Sequence, residues 1–235
     1  MPHAGTHPRA LAGALPQQRV AYLKKVLILT VFGLGVSAIT GLLSAFVVGA
    51  VPALQGRLAM FVIVLGSFFA AQSGCSRLVF GGQRLLGFAL AAIFQGIAMG
   101  YLLLTAISIG IGMGSPFLLV FEAMALVGLA AAGMTAYLWS GPREFSMLKA
   151  GLAAVSLPML VLMVVSFVFP LGGILGVLLS GVFVVVSAGG LLYQINAVLH
   201  RLRTSQTVEG AYLITMGVLV LFWNVLTLLM RLQRR

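Results

Sequence analysis

Seven stretches of nearly uninterrupted apolar side chains divide the chain, at roughly 26–48, 58–76, 85–109, 117–139, 148–169, 172–194 and 211–230. Each is close to the ~20 residues that a helix needs to cross about 30 Å of hydrocarbon. Backbone N–H and C=O groups find no water there, so only helices or closed barrel strands satisfy them. Barrel strands alternate apolar and polar positions over about ten residues. These runs are apolar on every side and predict helices.

The breaks between runs carry turn chemistry. Pro52 lies within Gly49–Gly56, and Gly110–Pro116 reads GIGMGSP. Its Ser115-Pro116 pair predicts a helix start, with Ser115 as cap and Pro116 in the first position. Gly141-Pro142 and Pro170-Leu171-Gly172-Gly173 break the chain again. The fifth and sixth runs are separated by only a few residues, which predicts a tight hairpin. Residues 1–25 form a polar, basic tail without the apolar core and cleavage site of a signal peptide. Helix is allowed near Gln17–Lys25, and residues 26–235 form the membrane domain.

Composition agrees with the pattern. Of 235 residues, 61% are hydrophobic and 7% charged, and the mean hydropathy is +1.17. A soluble domain carries about 25% charged residues. There is no Asp, and the acids are Glu122, Glu144 and Glu209. That excludes EF-hand loops, Walker B sites and aspartyl dyads. The single Cys75 excludes an internal disulfide or a cysteine zinc site.

A net charge of +11 could suggest nucleic acid. The basic residues sit at the ends of the runs, however, which is where a membrane protein places them. The tail and the even-numbered connections hold Arg9, Arg19, Lys24, Lys25, Arg77, Arg84, Arg143, Lys149, Arg201 and Arg203; the odd-numbered connections hold Arg57 alone. This bias predicts a cytoplasmic N-terminus. Seven crossings would then leave Arg231, Arg234 and Arg235 on the far side, against the rule. Either the last helix is re-entrant, or the first ten charges decide and the last three tolerate that side.

Candidate chemistry is sparse. Glu122 is the one acid inside a run, where a carboxylate must pair, reach water or protonate. It is a candidate proton-sensitive group on an ion path, or a neutral acid bonded to a neighbouring helix. Gln72, Gln95, Gln194, Asn196 and Asn224 can line a path or tie helices together. Pro158 falls mid-span and predicts a kink, with a gating hinge as its sharper reading. Gly33, Ser37, Gly41, Ala45 and Gly49 step by four along the first run, as do Gly96 and Gly100 in the third and Gly172, Gly176 and Ser180 in the sixth. Such ridges serve close packing within a bundle or a dimer face. No run has an interior His to act as a general base, and zincin, Walker and dinucleotide patterns are absent. We expect no enzyme, no cofactor and no metal site.

The order of these features resembles the Bax-inhibitor membrane family (transmembrane Bax inhibitor motif), in its bacterial YccA-like branch. The carrying segments are AYLKKV at 21–26, LGFALAAIFQGIAMG at 86–100, TAYLWSGPREFSMLKAGL at 135–152, LLYQINAVLH at 191–200 and LFWNVLTLLMRL at 221–232. The resemblance implies seven helices with the last surrounded by the other six. For some members it also implies a pH-sensitive calcium leak governed by two Asp residues on the last two helices. By position that pair falls on Gln194 and Leu221, so this chain lacks it. Asn224 and Arg231 match the family's late Asn and Arg. The YccA-like branch implies a binding role in membrane protein quality control, in a bacterial inner membrane. Two functions follow: a regulator that contacts a membrane protease or similar complex in the lipid bilayer, or a calcium or proton leak. The leak would use Glu122 as its acid, with Gln194, Asn196, Asn224 and Arg231 along the path.

Overall fold

A computed structural model describes residues 16–139, 151, 152, 154, 158, 161 and 173–233. The described chain is helical. Its long elements are α1 (Pro16–Ala50), α2 (Arg57–Val79), α3 (Arg84–Gly112), α4 (Leu118–Trp139), α5 (Gly173–His200) and α6 (Thr207–Gln233). All six are long and apolar enough to cross a membrane. They correspond to the first four and last two apolar runs. The fifth run, Glu144 and the expected hairpin at Pro170–Gly173 fall largely or wholly outside the described residues. Pro158 is helical and exposed, but the residues that would show its kink lie outside them.

Helix α1 begins at Pro16, well before its apolar run, because Tyr22 and Val26 extend its buried stripe by another turn. That stripe runs on through Thr30, Gly33, Ser37, Gly41, Ala45 and Val48. It meets α3. Ser37 Oγ donates to the Ala92 carbonyl at 2.8 Å, and Ser44 Oγ donates to the Ile97 carbonyl at 3.1 Å. Gly96 and Gly100 make this approach possible: a Cβ on Gly96 would lie 2.6 Å from the Ser37 carbonyl oxygen, and one on Gly100 would lie 2.9 Å from the Ala45 nitrogen. The small-residue ridges of the first and third runs therefore face each other inside one molecule.

Helix α2 contains a π-helical turn at Ala70–Gly74. A wider turn leaves a carbonyl without its usual helical donor, and the Tyr212 hydroxyl of α6 donates to Ala71 O at 3.1 Å. At the other end of the bundle the Tyr101 hydroxyl donates to Leu54 O at 2.7 Å, holding the short 3-10 turn Pro52–Gln55.

The α3–α4 connection corrects one expectation. Helix α4 starts at Leu118, two residues after Pro116, and the Leu118 N–H bonds the Ser115 carbonyl rather than its side chain. The connection is governed by the end of α3. Gly114 takes φ +77, Gly114 N–H bonds Ile111 O, and Ser115 N–H bonds Gly110 O. This is the paired closure that a left-handed glycine gives a helix C-terminus. It draws Ser115 and Pro116 back over Gly110 before the next helix can begin.

Helix α6 packs against α1, α3, α4 and α5 and touches the end of α2. In their most apolar windows α3 and α6 are 56% and 50% buried, against 17% for both α4 and α5. Helix α6 runs the length of the bundle, from Glu209 beside Arg84 at one end to Arg231 beside Gly176 at the other. His200 Nε2 bonds the Leu138 carbonyl at 3.3 Å, so α5 ends where α4 ends. Lys24, Lys25, Arg77, Arg84, Arg201 and Arg203 are exposed at this basic end.

Candidate functional site

Among the described residues the buried acid is Glu209, not Glu122. Glu209 lies in the first turn of α6, where the unpaired N–H groups of the helix start favour a negative charge. Its side chain is 3% exposed, and Oε1 lies 3.2 Å from Arg84 Nη1 at the start of α3. The arginine is 48% exposed and also donates to Ser205 O at 3.4 Å. It therefore links buried charge to the aqueous edge.

Tyr22 closes the cluster from α1. It is 2% exposed, and its hydroxyl donates a long bond, 3.5 Å, to the Gln206 carbonyl. Gly210 leaves room for it, since a Cβ there would lie 2.7 Å from Tyr22 Oη. Three helices thus converge on one acid, one guanidinium and one phenol.

The opposite faces of α6 hold the other predicted residues. Gln194 on α5 presses its Oε1 into the niche left by Gly217, and Leu191 lines the same niche. Leu221 is one turn further along α6 and fully buried. The two acid-pair positions of the resemblance therefore share the α5–α6 seam, filled by an amide and a leucine. Asn196 is buried on α5, whereas Asn224 donates to its own helix at Val220 O, 3.0 Å. Arg231 donates from α6 to the Gly176 carbonyl near the start of α5, where Ser180 Oγ also donates at 2.9 Å. Glu122 stands apart from all of these, exposed one turn into α4 beside the exposed Phe121. Gln194, Leu221 and Arg231 are thus brought to one pair of helices, and Glu122 is not among them.

Sequence reasoning passed over Glu209, Arg84, Tyr22 and Tyr212. Glu209 lies two residues before the last apolar run and was counted with its polar flank. The usable signal was scarcity: with three acids in the chain, one in the first turn of an apolar helix needs an account wherever the hydropathy window begins.

A bundle of long apolar helices with polar clusters between them, and cations gathered at one end, defines a polytopic integral membrane protein. The family model described as Inhibitor of apoptosis-promoting Bax1 matches residues 19–235, so the chain belongs to the Bax-inhibitor family. No curated protein matches it.

Proposed function

We propose that this family member is a non-enzymatic regulator that works through helix contacts on another membrane protein, with a membrane protease or its complex as the partner class the YccA-like resemblance implies. The carrying observation is the α5–α6 seam, where Gln194 and Leu221 occupy the acid-pair positions and neither can titrate. A calcium leak governed by that pair has no acid to govern it. The alternative leak, with Glu122 as its acid, draws no support from a carboxylate exposed on the outside of α4.

The proposed setting is a bacterial inner membrane with the basic end in the cytoplasm, as the cation bias favours. Seven spans accord with the ends of α4 and α5. Helix α4 stops at the basic end and α5 starts at the opposite one, which an odd number of crossings between them satisfies.

The test is calcium and proton flux into liposomes holding the full chain, at about pH 6 and about pH 8, a window in which a carboxyl with a raised pKa would titrate. Flux equal to that of empty liposomes supports the regulatory reading. It gains its positive content if a membrane protease co-purifies stoichiometrically and its turnover changes on addition of the chain. Acid-dependent calcium flux would overturn it.

A further inference from the structure

Threonines inside the helices of this protein fall into two groups. Thr40, Thr105, Thr135 and Thr227 turn their hydroxyls onto carbonyls of their own helices, at 2.7 to 2.9 Å. Thr30 and Thr215 do not. They are 6% and 0% exposed, and neither Oγ1 has a hydrogen-bond partner. Glu209 Oε2 is a third buried oxygen in that condition.

Thr30 and Thr215 lie where α1 meets α6, and Glu209 lies six residues before Thr215 on α6. On α1, Tyr22, Val26, Thr30 and Gly33 lie on one buried stripe. Tyr22 and Val26 face Gly210 of α6, and Gly33 faces Thr215 of α6, whose Cγ2 would be 3.1 Å from a Cβ at position 33. Thr30 is therefore bracketed between the levels of Gly210 and Thr215. Glu209 is the residue before Gly210. The third wall is α3: Arg84 holds Glu209, and one turn later the Phe88 ring tip reaches Gly33. Arg84 is the exposed side of this space and Phe88, fully buried, is its floor.

We propose that α1, α3 and α6 enclose an internal water site at the basic end, with its mouth at the Arg84–Glu209 pair and its floor at Phe88. A short file of waters there links Glu209 Oε2 to Thr30 Oγ1 and Thr215 Oγ1, because Glu209 and Thr215 are about 9 Å of helix rise apart on α6. The chemistry selects the ligand. A buried acceptor or hydroxyl left unbonded is costly, and internal water is the usual remedy where several polar atoms converge. A metal cation is disfavoured by the guanidinium 3.2 Å from the carboxylate, and an anion by the carboxylate itself. A neutral molecule that both donates and accepts suits one carboxylate acceptor and two hydroxyls. The charged and titratable groups facing Glu209 are Arg84 from α3 and Tyr22 from α1. The site is independent of the regulatory reading, because it concerns the α1–α6 seam and not the α5–α6 seam.

Hydroxyl-radical footprinting of the full chain in lipid nanodiscs tests the site, because radicals formed from internal water mark the side chains beside it. Tyr212 is an internal control of the same chemistry, 4% exposed against 2% for Tyr22, with its hydroxyl on Ala71. Tyr22 should label several-fold faster than Tyr212, and should fall to the Tyr212 rate in the Thr30→Val, Thr215→Val double variant. Equal labelling of the two tyrosines in the unmodified protein would overturn the proposal without reference to any variant. Melting of the double variant gives a second, independent sign. Removing hydroxyls that hold water lowers the melting temperature. Removing hydroxyls from a dry interior raises it, and a rise would also sink the proposal.

Discussion

The outer face of α4 and the α1–α3–α6 seam treat the same residue types in opposite ways. On α4, Glu122 is exposed and a Cβ added to Gly128 would meet nothing within 4 Å. In the seam, Glu209 is held by Arg84 under Tyr22, and Gly96 is locked against α1. Hydropathy reports how deep a residue lies along the membrane normal, and says little about which way a helix faces. In lipid an exposed Leu and a buried Leu are nearly equivalent, so the packing face is marked by small and polar residues instead. The contrast can be attacked at four points.

Glycine should separate the regions most. Gly96→Leu would drive a side chain into Thr40 and the Ser37 carbonyl. We expect a loss of about 3 kcal/mol or failure to fold, the upper end of overpacking, while Gly128→Leu stays within about 0.5 kcal/mol. Thermal melting followed by circular dichroism in detergent reads both. Similar melting temperatures for the two variants would mean that α1 and α3 do not meet through this ridge.

The acid pair comes next. Arg84→Ala leaves a buried carboxylate without its cation and should cost about 2 kcal/mol, below the ~3–5 kcal/mol of a fully buried pair because the arginine is half in solvent. Glu209→Gln should cost less than Arg84→Ala, since the freed arginine can turn to water. The inequality is the checkable part: a more damaging Glu209→Gln would place the arginine in the role of buried partner.

Serine hydroxyls give a smaller contrast. Ser37 reaches across to α3, whereas Ser108 donates to Leu104 on its own helix at 2.8 Å and is exposed. Ser37→Ala should lose about 0.6 kcal/mol, the average for interhelical hydrogen bonds in membranes, and Ser108→Ala should be near neutral. Equal effects would imply that the interhelical bond contributes nothing beyond a local one.

The sequence carried the class of fold and most element positions, because a run of about 20 apolar residues admits few structures in lipid. It also marked Gly33, Ser37 and Gly41, and Gly96 and Gly100, as close-packing ridges within a bundle or at a dimer face, but it did not say which helices meet. It did not carry the site. Glu209 is more than a hundred residues from both Arg84 and Tyr22, and all three lie at the polar ends of their runs. There a charged residue looks like ordinary flank, and only the helix crossing brings the three together. The start of α4 was misplaced for a local reason, since the Gly114 closure takes up Ser115 and Pro116 before capping chemistry can act.

Glu122 should show the smallest effect, and it is the residue on which the leak alternative depends. It lies one turn inside α4, close enough to the helix start for its carboxylate to gain from the unpaired N–H groups and to reach toward interfacial water along its own stem. Such a group needs no partner and no path. Glu122→Gln should therefore change stability by less than about 0.5 kcal/mol, in the range of surface substitutions. In the liposome assay it should leave calcium and proton flux unchanged from the parent chain at both pH values. A stable variant that alters flux would put a titrating group on the outside of the bundle. That would require α4 to face a second copy or a partner across a conducting seam, since no ion crosses lipid along a single exposed helix.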